Sequence, residues 1–198
     1  YRPFYVLSFV VNFYLGDSAG AFHAVNLLLH LLAAVLVFVF IKKLRSLGGN
    51  GDEAKHNIIA LFLSLLFAVH PVVVQTVSWV PARGDSILAV FLLLSFIQFS
   101  NFLLKRKKIY LIGHLVFFFM AMFSKETAVV FPVLCVFYAY LFGGKKVLLQ
   151  TGSVVIASGW VAIGLSWFFL RQNALNKVGI ADTSLYEMTG IIVNNFRA

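Results

Sequence analysis

The chain has 198 residues, of which 61% are hydrophobic and 12% charged, with a formal net charge of +9 and a mean hydropathy of +0.94. Soluble domains are about half apolar and about a quarter charged, so this composition excludes a water-soluble globular domain and implies lipid as the solvent for most of the chain. The basic residues lie between apolar runs, which points to orientation in a bilayer rather than to nucleic-acid binding.

The sequence opens on Tyr1 rather than Met, so a fragment or processed product is expected, and no basic–apolar–small signal-peptide pattern is visible. Residues 1–15 are aromatic and mildly polar, with Tyr1, Tyr5, Ser8 and Asn12 on one helical face. Such a segment is expected to lie along the membrane interface. Residues 21–41 form the first span, 58–80 a second interrupted by Pro71, and 86–104 a third. The run 109–142 is too long for one helix and is expected to turn at Ser124-Lys125-Glu126-Thr127. Residues 150–170 form the last span, and Ser158, Ala162 and Ser166 give it a small-residue stripe suited to helix packing. Cys135, the only cysteine, sits in an apolar run and can form no intrachain disulfide. The expected fold is therefore all-α: a polytopic bundle of about six spanning helices plus an N-terminal interfacial helix. Residues 1–172 form its core, and 173–198 begin an external or juxtamembrane segment. The stretch Gly48, Gly49, Asn50, Gly51 reads as a flexible loop.

Charge then sets the sides. Lys42, Lys43, Arg45, Lys55, Lys105, Arg106, Lys107, Lys108, Lys145 and Lys146 occupy alternate loops and are most of the sixteen Lys and Arg. The positive-inside rule makes those loops cytoplasmic. Arg2, Arg83, Lys125, Arg171, Lys177 and Arg197 then fall on the luminal or extracellular side.

The helices flanking 124–127 would rise only about 22 and 24 Å against a hydrocarbon core of roughly 30 Å, so the turn is expected to sit below the outer surface. Residues 58–69 are shorter still before His70-Pro71. His70, Lys125 and Glu126 are thus expected to be recessed, and charge at such depth normally faces a wet, protein-lined cavity. Each residue also has a plainer reading. Lys125 and Glu126 can pair with each other at the hairpin, Asp85 can cap a helix, Arg83 near Trp79 can anchor at the interface, and His70 can satisfy frayed backbone. His23, Asn26 and His30 share a face on the first span, open to interior hydrogen bonding or ligand contact. No phosphate-binding Gly-rich loop, His-Glu-x-x-His or Gly-x-Ser-x-Gly occurs, which disfavours a nucleotide-driven pump or a zinc protease.

An ordered set of motifs adds to this reading. Tyr1-Arg2-Pro3 is followed by Phe22-His23 with Asn26 and His30, then Phe67-Ala68-Val69-His70-Pro71. Val77, Trp79-Val80, Arg83 and Asp85 come next, and Ser124-Lys125-Glu126-Thr127 last. Together they resemble the GT-C membrane glycosyltransferases, and among them the transmembrane O-mannosyltransferases that carry tetratricopeptide repeats, over roughly residues 1–145. The resemblance implies sugar transfer, expected to be mannose, from a polyprenyl-phosphate donor to a protein or glycan hydroxyl on the luminal or periplasmic face. The membrane would be a prokaryotic plasma membrane or the endoplasmic reticulum. It implies Arg83, Lys125, Glu126, Asp85, His70 and Arg2 as donor-phosphate or substrate contacts, with Lys125 and Arg83 stabilising the leaving phosphate, Glu126 orienting Lys125 or a metal, and Asp85 orienting Arg83. The family's catalytic carboxylates precede the Tyr-Arg-Pro motif, so the chain alone is expected to be inactive. No metal ligand is assigned, and a divalent ion is left open as cofactor. A transporter or flippase for a lipid-linked or polar solute is the alternative reading, since recessed charges and shortened helices also describe transport paths; a non-catalytic scaffold is a third.

Overall fold

The computed structural model describes residues 2–45, 52–148 and 151–177. Tyr1, the Gly48–Gly51 stretch and residues 178–198 lie outside the described residues. Those described are helical, with no strand among them. The helices are α1 (Pro3–Leu15), α2 (Ala19–Arg45), α3 (Glu53–Val69), α4 (Val74–Ser78), α5 (Arg83–Lys105), α6 (Lys108–Met122), α7 (Phe131–Leu148) and α8 (Thr151–Lys177). Short 3-10 turns at Pro71–Val73, Val80–Ala82 and Glu126–Val130 join them.

The all-α membrane bundle expected from composition is what forms, with fewer full-length spans than expected. Among the described residues, three helices are long and apolar enough to cross a bilayer: Ala19–Leu44, Val80–Lys105 and Gly152–Ala174. The pair Glu53–Val69 and Pro71–Ser78, bent by 48°, makes a fourth only if it is counted as one broken span rather than a re-entrant loop. The bend has a local cause. Proline lacks an N–H and pushes its predecessor out of the helical region, and His70 is extended at φ −67°, ψ 131°. The two helices around residues 124–127 are short apolar pieces, Lys108–Met122 and Glu126–Leu141.

The core lies among α5, α6, α7 and the start of α8, where Phe99, Phe118, Met122, Phe131, Cys135 and Ile156 are buried. Lipid is as apolar as these side chains, so helix association rests on close packing and interhelical hydrogen bonds. Both are visible where α8 meets α6. Gly159 takes the contact: a Cβ there would stand 2.8 Å from a Leu115 methyl. One residue on, the Trp160 indole N–H donates to His114 Nε2 at 2.8 Å. That places the imidazole proton on Nδ1, which faces the Ser95 carbonyl at 3.1 Å and its hydroxyl at 2.8 Å. This buried chain ties α5, α6 and α8 together. The stripe expected to pack α8 does not do so. Ser158, Ala162 and Ser166 are exposed, and both serine hydroxyls donate back to their own helix, at Val155 and Ala162. The packed face runs instead through Ile156, Gly159, Trp160, Ile163 and Trp167.

The bundle has two polar ends, set by α5. Between Asp85 and Lys105 this helix rises about 30 Å at ~1.5 Å per residue. At its C-terminal end the Lys43 ammonium donates to Asn101, and Lys105 stands 5.4 Å from the Tyr110 ring. Its N-terminal end carries Arg83 and Asp85 and meets α1 and the 124–127 turn. The alternation of ends read from charge is thus reproduced in space.

Candidate functional site

The site grows from the turn between α6 and α7. The Ser124 hydroxyl donates to the Met120 carbonyl at 2.7 Å, while the Ser124 and Lys125 N–H groups both donate to the Ala121 carbonyl at 3.0 Å. These bonds close α6. Lys125 then swings to an extended φ −155°, ψ 134°, which throws its side chain toward the first turn of α5. There its ammonium pairs with Asp85 Oδ1. The next residue, Glu126, receives Arg2 in a two-pronged pair, with Nε at 3.0 Å and Nη2 at 2.6 Å from the two carboxylate oxygens.

Four of the six residues singled out in the sequence therefore converge: Arg2, Asp85, Lys125 and Glu126. Their side chains keep 26–44% exposure, so the cluster is lined by protein yet reachable. The partners differ from those expected. Glu126 pairs with Arg2 rather than Lys125, and Asp85 pairs with Lys125 rather than Arg83. Helix geometry explains the second difference: residues two apart do not face each other. The Arg2 hydrogen bonds hold the Glu126 carboxyl down to about 2, with Arg171 on α8 adding to the same field. Reciprocally, Glu126 raises the Arg2 guanidinium above its ordinary value. Arg2 and Lys125 balance Glu126 and Asp85, and Arg171 in the same field tips the local charge to positive.

Arg83 stands apart. It is fully buried, and its guanidinium is spent on protein. Nε donates to Asn26 Oδ1 at 2.7 Å, Nη1 to the Ser8 carbonyl at 3.2 Å, and Nη2 to Asn12 Oδ1 at 2.6 Å and the Phe22 carbonyl at 3.0 Å. The ring of Phe9 lies 4.4 Å from its central carbon. A buried cation solvated by neutral oxygens and an aromatic face is a clamp, and it seats α1 and α2 on the start of α5. It also sets what the polar face of α1 meets. The Tyr5–Ser8–Asn12 face turns onto the protein, with the Tyr5 hydroxyl donating to the Pro81 carbonyl at 3.0 Å. Val6, Leu7, Val10 and Val11 point outward. Asn12 was missed as Arg83's partner because it sits 71 residues away; an Asn in an apolar helix was the only hint.

His70 does not join the cluster. It is exposed, and its Nδ1 accepts the Val72 N–H at 3.2 Å, capping the turn after the bend. His30 and Asn26 serve the interior: His30 Nε2 lies 2.9 Å from the Ala68 carbonyl, and Asn26 also donates to Val77. His23 is exposed. Asp85 and Glu126 are each held by a cation, and among the described residues no three His, Cys, Asp or Glu side chains converge on a metal site; no ligand set is assigned.

Beside the cluster lies a shallow, open apolar groove of about 560 Å³ along α1, lined by Arg2, Pro3, Phe4, Val6, Leu7 and Val10. Arg2 belongs to both. The arrangement can hold an amphiphile: an anionic group on the excess positive charge and a hydrocarbon tail along α1.

Sequence comparison finds relatives over half of the chain or more. A mouse protein, "Protein O-mannosyl-transferase TMTC4", is 39% identical over 107 residues, 51% of this chain and 14% of its own. A mouse "Protein O-mannosyl-transferase TMTC1" is 34% identical over 102 residues. In Drosophila melanogaster, "Protein O-mannosyl-transferase Tmtc1" is 31% identical over 136 residues, 68% of this chain and 15% of its own. These relatives are protein O-mannosyl-transferases. The resemblance read from the ordered motifs is thus to the transmembrane O-mannosyltransferases. The chain spans about a tenth to a seventh of the length of these relatives. No family model matches, and no solved structure matches.

Proposed function

We propose that this chain carries the donor-binding end of a membrane glycosyltransferase that moves mannose from a polyprenyl-phosphate carrier to a protein hydroxyl on the luminal or periplasmic side. The main support is Arg2, which is shared by the ionic cluster and the apolar groove. A polyprenyl-phosphate sugar has the matching form, an anionic head on a long hydrocarbon. The names of the relatives supply the sugar and the acceptor class. The cation-rich loops at the opposite end of the bundle support the sidedness.

In the proposed reaction the acceptor oxygen attacks the anomeric carbon. The bond from that carbon to the phosphate oxygen breaks, and its electron pair leaves with the polyprenyl phosphate. In this reading Lys125 and Arg2 meet the charge that builds on the departing phosphate, since preorganised cations stabilise such a transition state. Asp85 and Glu126 hold those two cations in position and are themselves engaged. The acceptor proton goes to a general base, for which the resemblance points to the acidic residues ahead of the Tyr-Arg-Pro motif. Arg83 acts one step removed, by fixing α1 and hence Arg2 against α5.

The test is transfer of labelled mannose from a polyprenyl-phosphate donor to a Ser/Thr peptide, using membranes that contain the complete gene product bearing this sequence. Lys125→Ala and Arg2→Ala are expected to lower turnover about 100-fold or more with normal membrane insertion. Unchanged rates in both would remove the phosphate-stabilising role, and no transfer from the donor by the unaltered protein would overturn the function.

A further inference from the structure

At the other end of the bundle, α5, α7 and α8 enclose a cleft of about 250 Å³ lined mainly by Phe99, Leu103, Val136, Ala139, Ile156 and Trp160. Its walls are hydrocarbon and aromatic, and only 6% of the spanning window of α8 is buried within the protein. The cleft reaches toward the basic run Lys105, Arg106, Lys107 and Lys108. Leu103 lines it, and Arg106 lies one helical turn further on. Ser153 also lines it, and a Cβ on neighbouring Gly152 would stand 3.8 Å from an Arg106 guanidinium nitrogen. Arg106 is exposed and ends α5 in a left-handed turn at φ 53°, its N–H donating to the Phe102 carbonyl. No Asp or Glu occurs in residues 86–125 or 127–181, so α5 beyond its first turn, α6, α7 beyond the 124–127 turn and all of α8 bring no carboxylate to this end.

We propose that this cleft binds an anionic phospholipid of the surrounding leaflet, with its phosphate on Arg106 and the adjoining lysines and one acyl chain between α7 and α8. Basic pockets between spanning helices recognise acidic head groups because neutralising each cation near the surface contributes attraction that zwitterionic lipid cannot match. The apolar walls take the chain. The site is distinct from the Arg2–Lys125 cluster, some 30 Å away at the other end of α5, and does not depend on the glycosyl-transfer reading.

Trp160 on the cleft wall is a built-in reporter. Trp79→Phe and Trp167→Phe leave it as the sole tryptophan of the chain. This variant is reconstituted in phosphatidylcholine vesicles, and quenching of Trp160 is titrated with brominated-chain phosphatidylglycerol and, separately, brominated-chain phosphatidylcholine. Half-maximal quenching is expected at about fivefold lower mole fraction for phosphatidylglycerol. Arg106→Gln should erase most of that preference and Arg106→Lys retain it. Ala157→Phe, at an exposed position on the cleft wall, should reduce quenching by both lipids while the helical circular dichroism is unchanged. Equal quenching by the two lipids, a preference that survives Arg106→Gln, or protection of Trp160 from both lipids because protein fills the cleft would each overturn the proposal.

Discussion

Arg83 and Lys125 both belong to the same end of the bundle and came from the same motif set, yet their surroundings are opposite. Arg83 is sealed from solvent and solvated by four neutral oxygens and a phenyl face. Lys125 keeps 26% exposure and has one carboxylate partner. A buried cation with its donors spent can hold helices together but has little left for a substrate. A half-exposed cation on a single carboxylate can exchange that partner for a phosphate. Position in a motif therefore does not define a role; the number of donors already satisfied does.

The comparison can be broken at either member. Arg83→Ala should be the most damaging change for folding. It leaves the oxygens of Asn12 and Asn26 without their strongest donor, at about 1–3 kcal/mol for each buried group left unpaired. Thermal unfolding in detergent should show a loss of about 3 kcal/mol or more, and Arg83→Lys should not restore it, because an ammonium cannot span the four acceptors. A fully stable Arg83→Ala protein would end the clamp reading. Lys125→Ala should do the reverse, removing most turnover while the unfolding midpoint stays within a few degrees.

Smaller effects sharpen the contrast. Trp160→Phe deletes the donor to His114 Nε2 and should cost about 1 kcal/mol, read as a lower unfolding midpoint with no change in KM for the donor. Glu126→Gln should cost under about 1 kcal/mol, since exposed pairs contribute little. Its pH dependence has a definite sign. The folded carboxyl is held to about 2 against an ordinary 4.5, so the stabilisation is complete above the ordinary value and lost as pH falls toward 2. The stability gap between Glu126→Gln and the unaltered protein should thus be constant from neutral pH to about pH 6, begin to close near the ordinary 4.5 and vanish near pH 2; a gap that widens on acidification would contradict the pairing.

Much of this architecture can be read from the sequence, because its causes are local. Long apolar runs make spans, Pro71 bends one of them, and basic loops alternate with less charged ones. Even the turn at 124–127 is foreshadowed by the arithmetic of helix length. Partner choice is another matter. Lys125 reaches Asp85 across 40 residues and Arg2 reaches Glu126 across 124, and nothing local to Asp85 favours Lys125 over Arg83. The same holds for the polar face of α1, whose pattern fits an interface with water or with protein equally well. The small-residue stripe of α8 misled for a related reason: spacing permits close approach, but Gly159 and Trp160 decide where it happens.

The Arg83 clamp also constrains how the protein can be made. Asn12 and Asn26 leave the ribosome 71 and 57 residues before the arginine that satisfies them, so the first two helices reach the membrane with amides that lipid cannot hydrogen-bond. Until the start of α5 arrives, those amides lack the guanidinium that satisfies them, so the clamp that seats α1 and α2 closes only after residue 83 has been synthesised.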